Sequence, residues 1–190
     1  MRVPVAKVAA AAAICAGAVW LSVAPATAQQ QPKTVSAVGS AVFRINRGFT
    51  IQFHWAPQTI RVRRGATVTW ANRVDPLLPE PHTITIATQP SLPDTLPELV
   101  SCGGPGTACA PAAGHFGPND TVVNPVLNAG PAGLDEVGDS LFLPPPSGGT
   151  VPTVSAKITA RAGSVLRYVC AIHPWMQGVI RVREGRHQGA

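Results

Sequence analysis

The chain has 190 residues, of which 45% are hydrophobic and 13% charged, so it can bury a packed core and is not globally disordered. Its 20 prolines and 18 glycines argue against a helical bundle and favour short strands joined by turns. The formal net charge of +6 is too small and too dispersed for a nucleic-acid-binding protein, although it mildly favours an acidic partner.

Residues 1–28 have the pattern of a signal peptide. Arg2 and Lys7 give it a basic start, and an alanine-rich apolar run follows over residues 8–23. Residues 26–28, Ala-Thr-Ala, then fit a cleavage signal. The alternative is a membrane anchor, but the run is close to the lower length limit for a span and the cleavage signal follows it directly. We therefore predict a periplasmic or secreted protein that keeps no membrane span after cleavage.

Strands are predicted wherever apolar and polar residues alternate, which they do over most of 49–87 and 151–183. Several short strands with one apolar face predict an all-β, antiparallel Greek-key sandwich over residues 49–184. Residues 29–48 are predicted to be an N-terminal extension or an edge strand, and residues 185–190 a loose tail.

The alternation stops between about 88 and 150, in a stretch that is rich in Pro and Gly and too long for an ordinary connection. We predict an irregular insertion that covers one end or flank of the sandwich, with a short strand at 140–143. Cys102 and Cys109 lie in the segment SCGGPGTACAP of this insertion and are predicted to form a disulfide. The alternative is a metal site that His115 completes; otherwise His115 is expected to be an exposed loop residue.

Cys170 is then the unpaired thiol of the exported chain, and it begins the segment Cys-Ala-Ile-His-Pro-Trp-Met after a predicted strand. This segment puts the thiolate of Cys170, the imidazole of His173 and the thioether of Met176 on one tight loop. Such soft ligands suit a copper ion that is held as both Cu(I) and Cu(II). Pro174 disfavours a helix at His173, so the loop is predicted to turn around one point.

His82 is predicted to supply a second imidazole, because it begins a strand and shares the inward parity of Ile84 and Ile86. Two imidazoles, one thiolate and a weak axial thioether make up the blue-copper arrangement. The remaining histidines have simpler interpretations: His54 falls on the polar face of its strand, and His187 lies in the tail.

These motifs resemble those of the cupredoxins, and in loop spacing the amicyanin and plastocyanin-like members. The run 170–178, C-x2-H-P-aromatic-M-x-G, resembles the ligand loop of amicyanin with its short spacing from His to Met, and residues 62–72 resemble the V-x-x-G-x-x-V-x-W-x-N strands that precede the first histidine. The resemblance implies one copper ion with His82, Cys170 and His173 as equatorial ligands and Met176 as the axial ligand.

The chain departs from these relatives beside the ligands. Thr83 stands where close relatives have Asn, and Ala171 where amicyanin has Thr. The side-chain link between the two loops is therefore expected to be missing, whereas the Thr83 amide can still donate to the Cys170 sulfur.

The predicted function is one-electron transfer by a monomer outside the cytoplasm, with His173 as the exposed edge of the ligand set. Copper delivery without redox turnover is the first alternative, and a mononuclear copper oxidoreductase is a weaker one, since no second ligand cluster is visible. A domain that has lost its copper is disfavoured, because all four ligands are present. The predicted docking surface for redox partners is an apolar patch around His173 made by Leu77, Leu78, Pro174 and Trp175.

Overall fold

The computed structural model describes residues 33–77, 79–129 and 133–184. The predicted signal peptide, Leu78, His187 and the predicted tail lie outside the described residues. Within the described part, none of the helices has the length and apolar character needed to cross a membrane.

The described residues form short strands with few helical turns. The strands are β1 (Lys33–Val38), β2 (Ala41–Arg44), β3 (Gly48–Ile51), β4 (His54–Ala56), β5 (Thr59–Arg63), β6 (Thr67–Asn72), β7 (His82–Ala87), β8 (Val126–Leu127), β9 (Ser140–Leu143), β10 (Thr153–Lys157), β11 (Val165–Val169) and β12 (Gln177–Arg183). Helix α1 spans Leu96–Ser101, and 3-10 turns occur at Gln89–Ser91, Ala110–His115 and Pro118–Asp120.

Two sheets enclose one hydrophobic core. The first sheet has the order β10-β6-β1-β4 and the second the order β5-β12-β11-β7-β9-β8, while β2 and β3 form a separate hairpin. Residues of both sheets share one buried cluster, which confirms the predicted all-β sandwich. The pairs β1–β6 and β5–β12 are parallel, so the sandwich is mixed and not purely antiparallel as predicted.

Strand β1 lies inside the first sheet. It pairs with β6 on one side and with β4 on the other, so it is neither a loose extension nor an edge strand. Val35 and Ala37 of this strand are fully buried in the core. An alternating pattern shows which face of a strand is buried, but it does not show which strands lie beside it.

Three aromatic residues fill the core beneath the Cys170 loop. The ring of Tyr168 lies 5.6 Å from that of Trp55 and 6.0 Å from that of Trp70, centroid to centroid. All three side chains are buried. The indole Nε1–H of Trp55 donates a hydrogen bond to the carbonyl oxygen of Met176 at 3.1 Å, so the aromatic core also holds the loop.

The segment between β7 and β10 builds part of the second sheet. Its strand β9 pairs with β7 in antiparallel register, with His82 opposite Leu143. The predicted disulfide between Cys102 and Cys109 is confirmed and packs against Ala87 and Val169, next to the ligand-bearing strand.

His115 is fully buried, so the expectation that it is exposed is wrong. The metal site with Cys102 and Cys109 is not formed either, because these two cysteines are bonded to each other. The His115 ring instead lies between the carbonyl of Asn124 and the hydroxyl of Ser140. Strand β9 covers the loop that contains His115. Because β9 pairs with the distant strand β7, local composition does not predict this cover.

Candidate metal centre

Three metal-ligating side chains meet at one end of the sandwich. His82 is the first residue of β7, Cys170 follows the last residue of β11, and His173 lies in the turn that leads to β12. Strands β7 and β11 are antiparallel neighbours, so the beginning of one lies beside the end of the other. This pairing brings together residues that are 88 positions apart in the chain.

The three ligand atoms form a nearly equilateral triangle. The Cys170 sulfur lies 3.7 Å from Nδ1 of His82 and 3.8 Å from Nδ1 of His173, and the two Nδ1 atoms are 3.3 Å apart. One point in their plane is about 2.1 Å from all three atoms, within the usual range for bonds from a metal to nitrogen and sulfur. The triangle therefore has the size of a trigonal metal site.

The loop that carries Cys170 is held by backbone hydrogen bonds. The Cys170 amide donates to the carbonyl of Met176 at 2.9 Å, and the Met176 amide donates to the carbonyl of His173 at 2.8 Å. Met176 itself is buried, with 1% of its surface exposed, and belongs to the same core cluster as Cys170. The structure therefore places the fourth predicted residue on the ligand loop with its side chain inside the protein.

Two hydrogen bonds join the start of β7 to the ligand loop. The Thr83 amide donates to the Cys170 sulfur at 3.4 Å, which confirms the prediction for this bond. The Ala171 amide donates to the Thr83 hydroxyl at 2.8 Å, so a backbone bond joins the two loops where no bond between two side chains can form. It forms because the donor is the backbone of residue 171 and needs no side chain there.

Burial sets the protonation of the three groups. It lowers the pKa of His82 to about 3, with a further contribution from His173, and it lowers the pKa of His173 to about 4. It raises the pKa of the Cys170 thiol. Both imidazoles are thus neutral at physiological pH, with lone pairs free for a metal, and a bound ion would displace one proton from the thiol.

The two nitrogens of the buried His82 ring face different surroundings. Among the described residues, its Nε2 has no hydrogen-bond partner, and its Nδ1 faces the Cys170 sulfur and Nδ1 of His173. Buried polar atoms without proper partners are costly in a folded protein. A metal ion within the triangle would satisfy Nδ1, so the residues present fit such an ion.

The expected exposed edge of the site is nearly closed. Only 5% of His173 is exposed, because the rings of Phe53 and Trp175 pack against it with centroids 5.1 Å and 5.3 Å away. Of the predicted apolar patch, Leu77 is 85% and Trp175 42% exposed, and the Trp175 ring lies against His173. Nε2 of His173 points towards Glu80 at 4.0 Å, too far for a hydrogen bond.

The metal-free protein is expected to lose stability as the pH falls from 6.5 towards 5. The unfolded histidines bind protons with a pKa near 6.5, whereas His82 and His173 stay neutral in the folded state down to about 3 and 4. Protonation therefore favours unfolding, by roughly 1.4 kcal/mol per pH unit for each histidine. Urea unfolding at several pH values measures this slope.

Replacing one buried imidazole should reduce that pH dependence. We expect His82→Leu to remove the part of the slope that His82 contributes. The control His54→Asn, at an exposed position, should keep the slope of the wild type. His115, whose pKa is also lowered by burial, contributes equally in all three proteins. An unchanged slope in His82→Leu would contradict the prediction.

No family model and no curated protein matches the chain. Three solved structures illustrate what it is similar to. A purple cupredoxin from Nitrosopumilus maritimus is 17% identical, with 79% of this chain and 98% of that chain covered and a TM-score of 0.38. The oxidised plastocyanin of Dryopteris crassirhizoma is 17% identical over 79% and 99% of the two chains, with a TM-score of 0.36.

Auracyanin A, a blue copper protein from Chloroflexus aurantiacus, is 17% identical over 79% of this chain and 99% of its own, with a TM-score of 0.38.

Proposed function

We propose that this protein is an exported type 1 copper protein of the cupredoxin kind that carries single electrons. The observation that supports it is the triangle formed by the Cys170 sulfur and Nδ1 of His82 and His173, with Met176 on the same loop. One thiolate, two imidazoles and one thioether match the ligand types of blue-copper sites. In this assignment His82, Cys170, His173 and Met176 would hold the copper ion.

Export is proposed from the signal-peptide pattern of residues 1–28. The Cys102–Cys109 disulfide supports it, because structural disulfides persist in oxidising compartments and are rare in the cytosol.

Copper supplies the one-electron chemistry, by cycling between Cu(I) and Cu(II). The residues of the chain keep the ligand positions fixed: the bonds from the Cys170 and Met176 amides close the loop, and the Trp55 indole holds the Met176 carbonyl. A site that is already formed needs little rearrangement when an electron arrives or leaves. Burial of Cys170 and His82 keeps water from the ligand atoms.

Electrons are proposed to pass through the edge of His173 to redox partners. His173 is the least buried of the three ligands, and Trp175 provides exposed apolar surface beside it, while Leu77 of the predicted patch is exposed as well. A small apolar patch suits brief docking, since large buried interfaces give long-lived complexes. We propose that the protein acts there as a monomer and as a carrier, and not as an enzyme.

Copper delivery is the alternative, and the burial of the ligands disfavours it. His82 and Cys170 are fully buried and His173 is 5% exposed, so an acceptor cannot replace them one at a time without opening the loop.

Titration of the copper-free protein with Cu(II) tests the proposal. We expect an intense visible absorption from thiolate-to-copper charge transfer that saturates at one equivalent, because the four ligands form a single site. The loaded protein should exchange electrons rapidly with its reduced form and release copper slowly to a chelator.

Two outcomes would argue against this function. Absence of the visible band on saturation with Cu(II) would exclude a blue site. Rapid release to the chelator together with slow electron exchange would favour the delivery alternative.

A further inference from the structure

A continuous row of buried polar groups connects the segment between β7 and β9 to the start of β7. The Nδ1 atom of His115 lies 2.6 Å from the Asn124 carbonyl oxygen, and its Nε2 lies 2.8 Å from the Ser140 hydroxyl. That hydroxyl is 2.7 Å from the Thr85 hydroxyl, which is 3.1 Å from the Thr83 hydroxyl. His115 and the three hydroxyl residues are all fully buried.

The row ends at the ligand loop. The Thr83 hydroxyl accepts the Ala171 amide at 2.8 Å, and the Thr83 amide donates to the Cys170 sulfur at 3.4 Å. His115 thus reaches the proposed copper ligand through three hydroxyl groups, although it touches no ligand itself.

The Asn124 carbonyl at the far end of the row fixes the direction of its hydrogen bonds. Burial lowers the pKa of His115, so its ring is neutral and carries one proton. A carbonyl oxygen only accepts, so that proton is on Nδ1 and donates to Asn124. Nε2 is then an acceptor and takes the Ser140 proton.

Each hydroxyl has one proton, so the remaining directions follow. Ser140 donates to His115 and therefore accepts from Thr85, which in turn accepts from Thr83. The Thr83 proton is directed to Thr85 and away from the sulfur of Cys170. Bonds in such a row strengthen one another in a dry interior, so reversing it is unfavourable.

We propose that His115 is a positioning residue that, through Ser140 and Thr85, keeps the Thr83 hydroxyl proton off the Cys170 sulfur and thereby holds down the reduction potential of the copper. This inference rests on the proposed copper function. It adds that a residue outside the ligand set controls the reduction potential of the copper.

The sign of the effect follows from charge. Cu(II) draws more electron density from the thiolate than Cu(I) does. A further hydrogen bond to the sulfur therefore destabilises the Cu(II) state more than the Cu(I) state, which raises the reduction potential. The Thr83 side chain lies beside the sulfur, because its hydroxyl accepts the amide of Ala171, the residue that follows Cys170, and the Thr83 amide donates to the sulfur itself. A broken row would free the Thr83 hydroxyl to turn to the sulfur.

A pair of variants at position 85 tests this inference. Thr85→Val keeps the shape but cannot accept the Thr83 proton, whereas Thr85→Ser keeps the hydroxyl and loses a methyl group. We expect Thr85→Val to favour Cu(I) by about tenfold, a rise of about 59 mV in midpoint potential, and Thr85→Ser to match the wild type. Equal potentials for the two variants would overturn the proposal.

A double variant separates this effect from a general loss of packing. On a Thr83→Val background there is no hydroxyl to redirect, so adding Thr85→Val should leave the potential unchanged. A further rise there would contradict the proposal.

Substitutions of His115 test the other end of the row. The amide of His115→Gln can donate to Asn124 and accept from Ser140, so it should retain the potential of the wild type. His115→Phe removes both bonds in a pocket that already contains Phe116 and Phe142, and it should raise the potential as Thr85→Val does. The same potential in both variants would count against His115.

Nitrogen chemical shifts of His115 in the copper-free protein test the row without any metal. We expect the tautomer with the proton on Nδ1; a proton on Nε2 would reverse the row and overturn the inference. If the tautomer is as expected but no blue band forms, the proposed function fails. If the band forms and the two position-85 variants have equal potentials, this inference alone fails.

Discussion

Cys170→Ser is expected to abolish the visible absorption of the copper-loaded protein. The band requires a sulfur-to-Cu(II) charge transfer, and Cys170 is the free cysteine among the described residues. A serine hydroxyl is a hard ligand that stays protonated, so it does not replace a thiolate on copper. Copper affinity should fall by more than about 100-fold, because changes in the groups around a metal ligand already cost 10–100-fold.

A double variant of the other two cysteines is the matched control. Cys102→Ser with Cys109→Ser makes the same chemical change twice and leaves the ligand triangle intact. We expect it to lose about 2–3 kcal/mol of stability from the broken disulfide and to keep the band. Absorption spectra of the wild type, Cys170→Ser and the double variant, each at one equivalent of Cu(II), test this prediction. A full band in Cys170→Ser would mean that copper is held elsewhere.

The features that the sequence predicted correctly are those with a local pattern. Period-two alternation identified which residues of β5, β6 and β12 face the core, since neighbouring side chains of a strand point to opposite sides. The spacing of Cys170, His173 and Met176 predicted one ligand loop, and the parity of His82 with Ile84 predicted an inward imidazole. All four of these side chains are buried in the structure.

The features that the sequence did not predict depend on pairing between distant segments. Strand β1 lies between β4 and β6 because of contacts that no local pattern encodes. The hydroxyls of Thr85 and Ser140 meet only because β7 and β9 pair in one register. A shift of one residue would separate them and put their side chains on opposite faces.

The narrowness of the His173 edge has a related origin. The sequence predicts His173 as the exposed edge of the ligand set, and only 5% of it is exposed. Phe53, from the connection between β3 and β4, packs across the imidazole and closes most of that edge. Phe53 lies 120 residues before His173 in the chain, so the sequence around His173 does not predict that its edge is covered.

Gly178→Ala is expected to be among the most destabilising single substitutions in the chain. Gly178 lies on β12 directly opposite Tyr168 of β11, and the Tyr168 ring covers it. An added Cβ would approach the ring and hydroxyl of Tyr168 to well under 3.0 Å, a separation that real Cβ atoms do not show. The ring cannot move aside, because it is fully buried against Trp55 and Trp70.

The expected cost is roughly 3 kcal/mol or more, at the upper end for overpacking of a core. Urea unfolding of the copper-free protein measures it, with Gly103→Ala as the control. A Cβ at position 103 has open space around it, and the backbone there has no conformation reserved for glycine. We expect that control to change stability by less than about 0.5 kcal/mol.

The same substitution should reach the metal centre through the aromatic core. Displacing Tyr168 shifts Trp55, whose indole holds the carbonyl of Met176 on the ligand loop. We therefore expect any folded Gly178→Ala protein to show an altered visible band, while Gly103→Ala keeps that of the wild type. Stability and spectrum equal to those of Gly103→Ala would mean that Tyr168 packs elsewhere and that the loop does not depend on the rings beneath it.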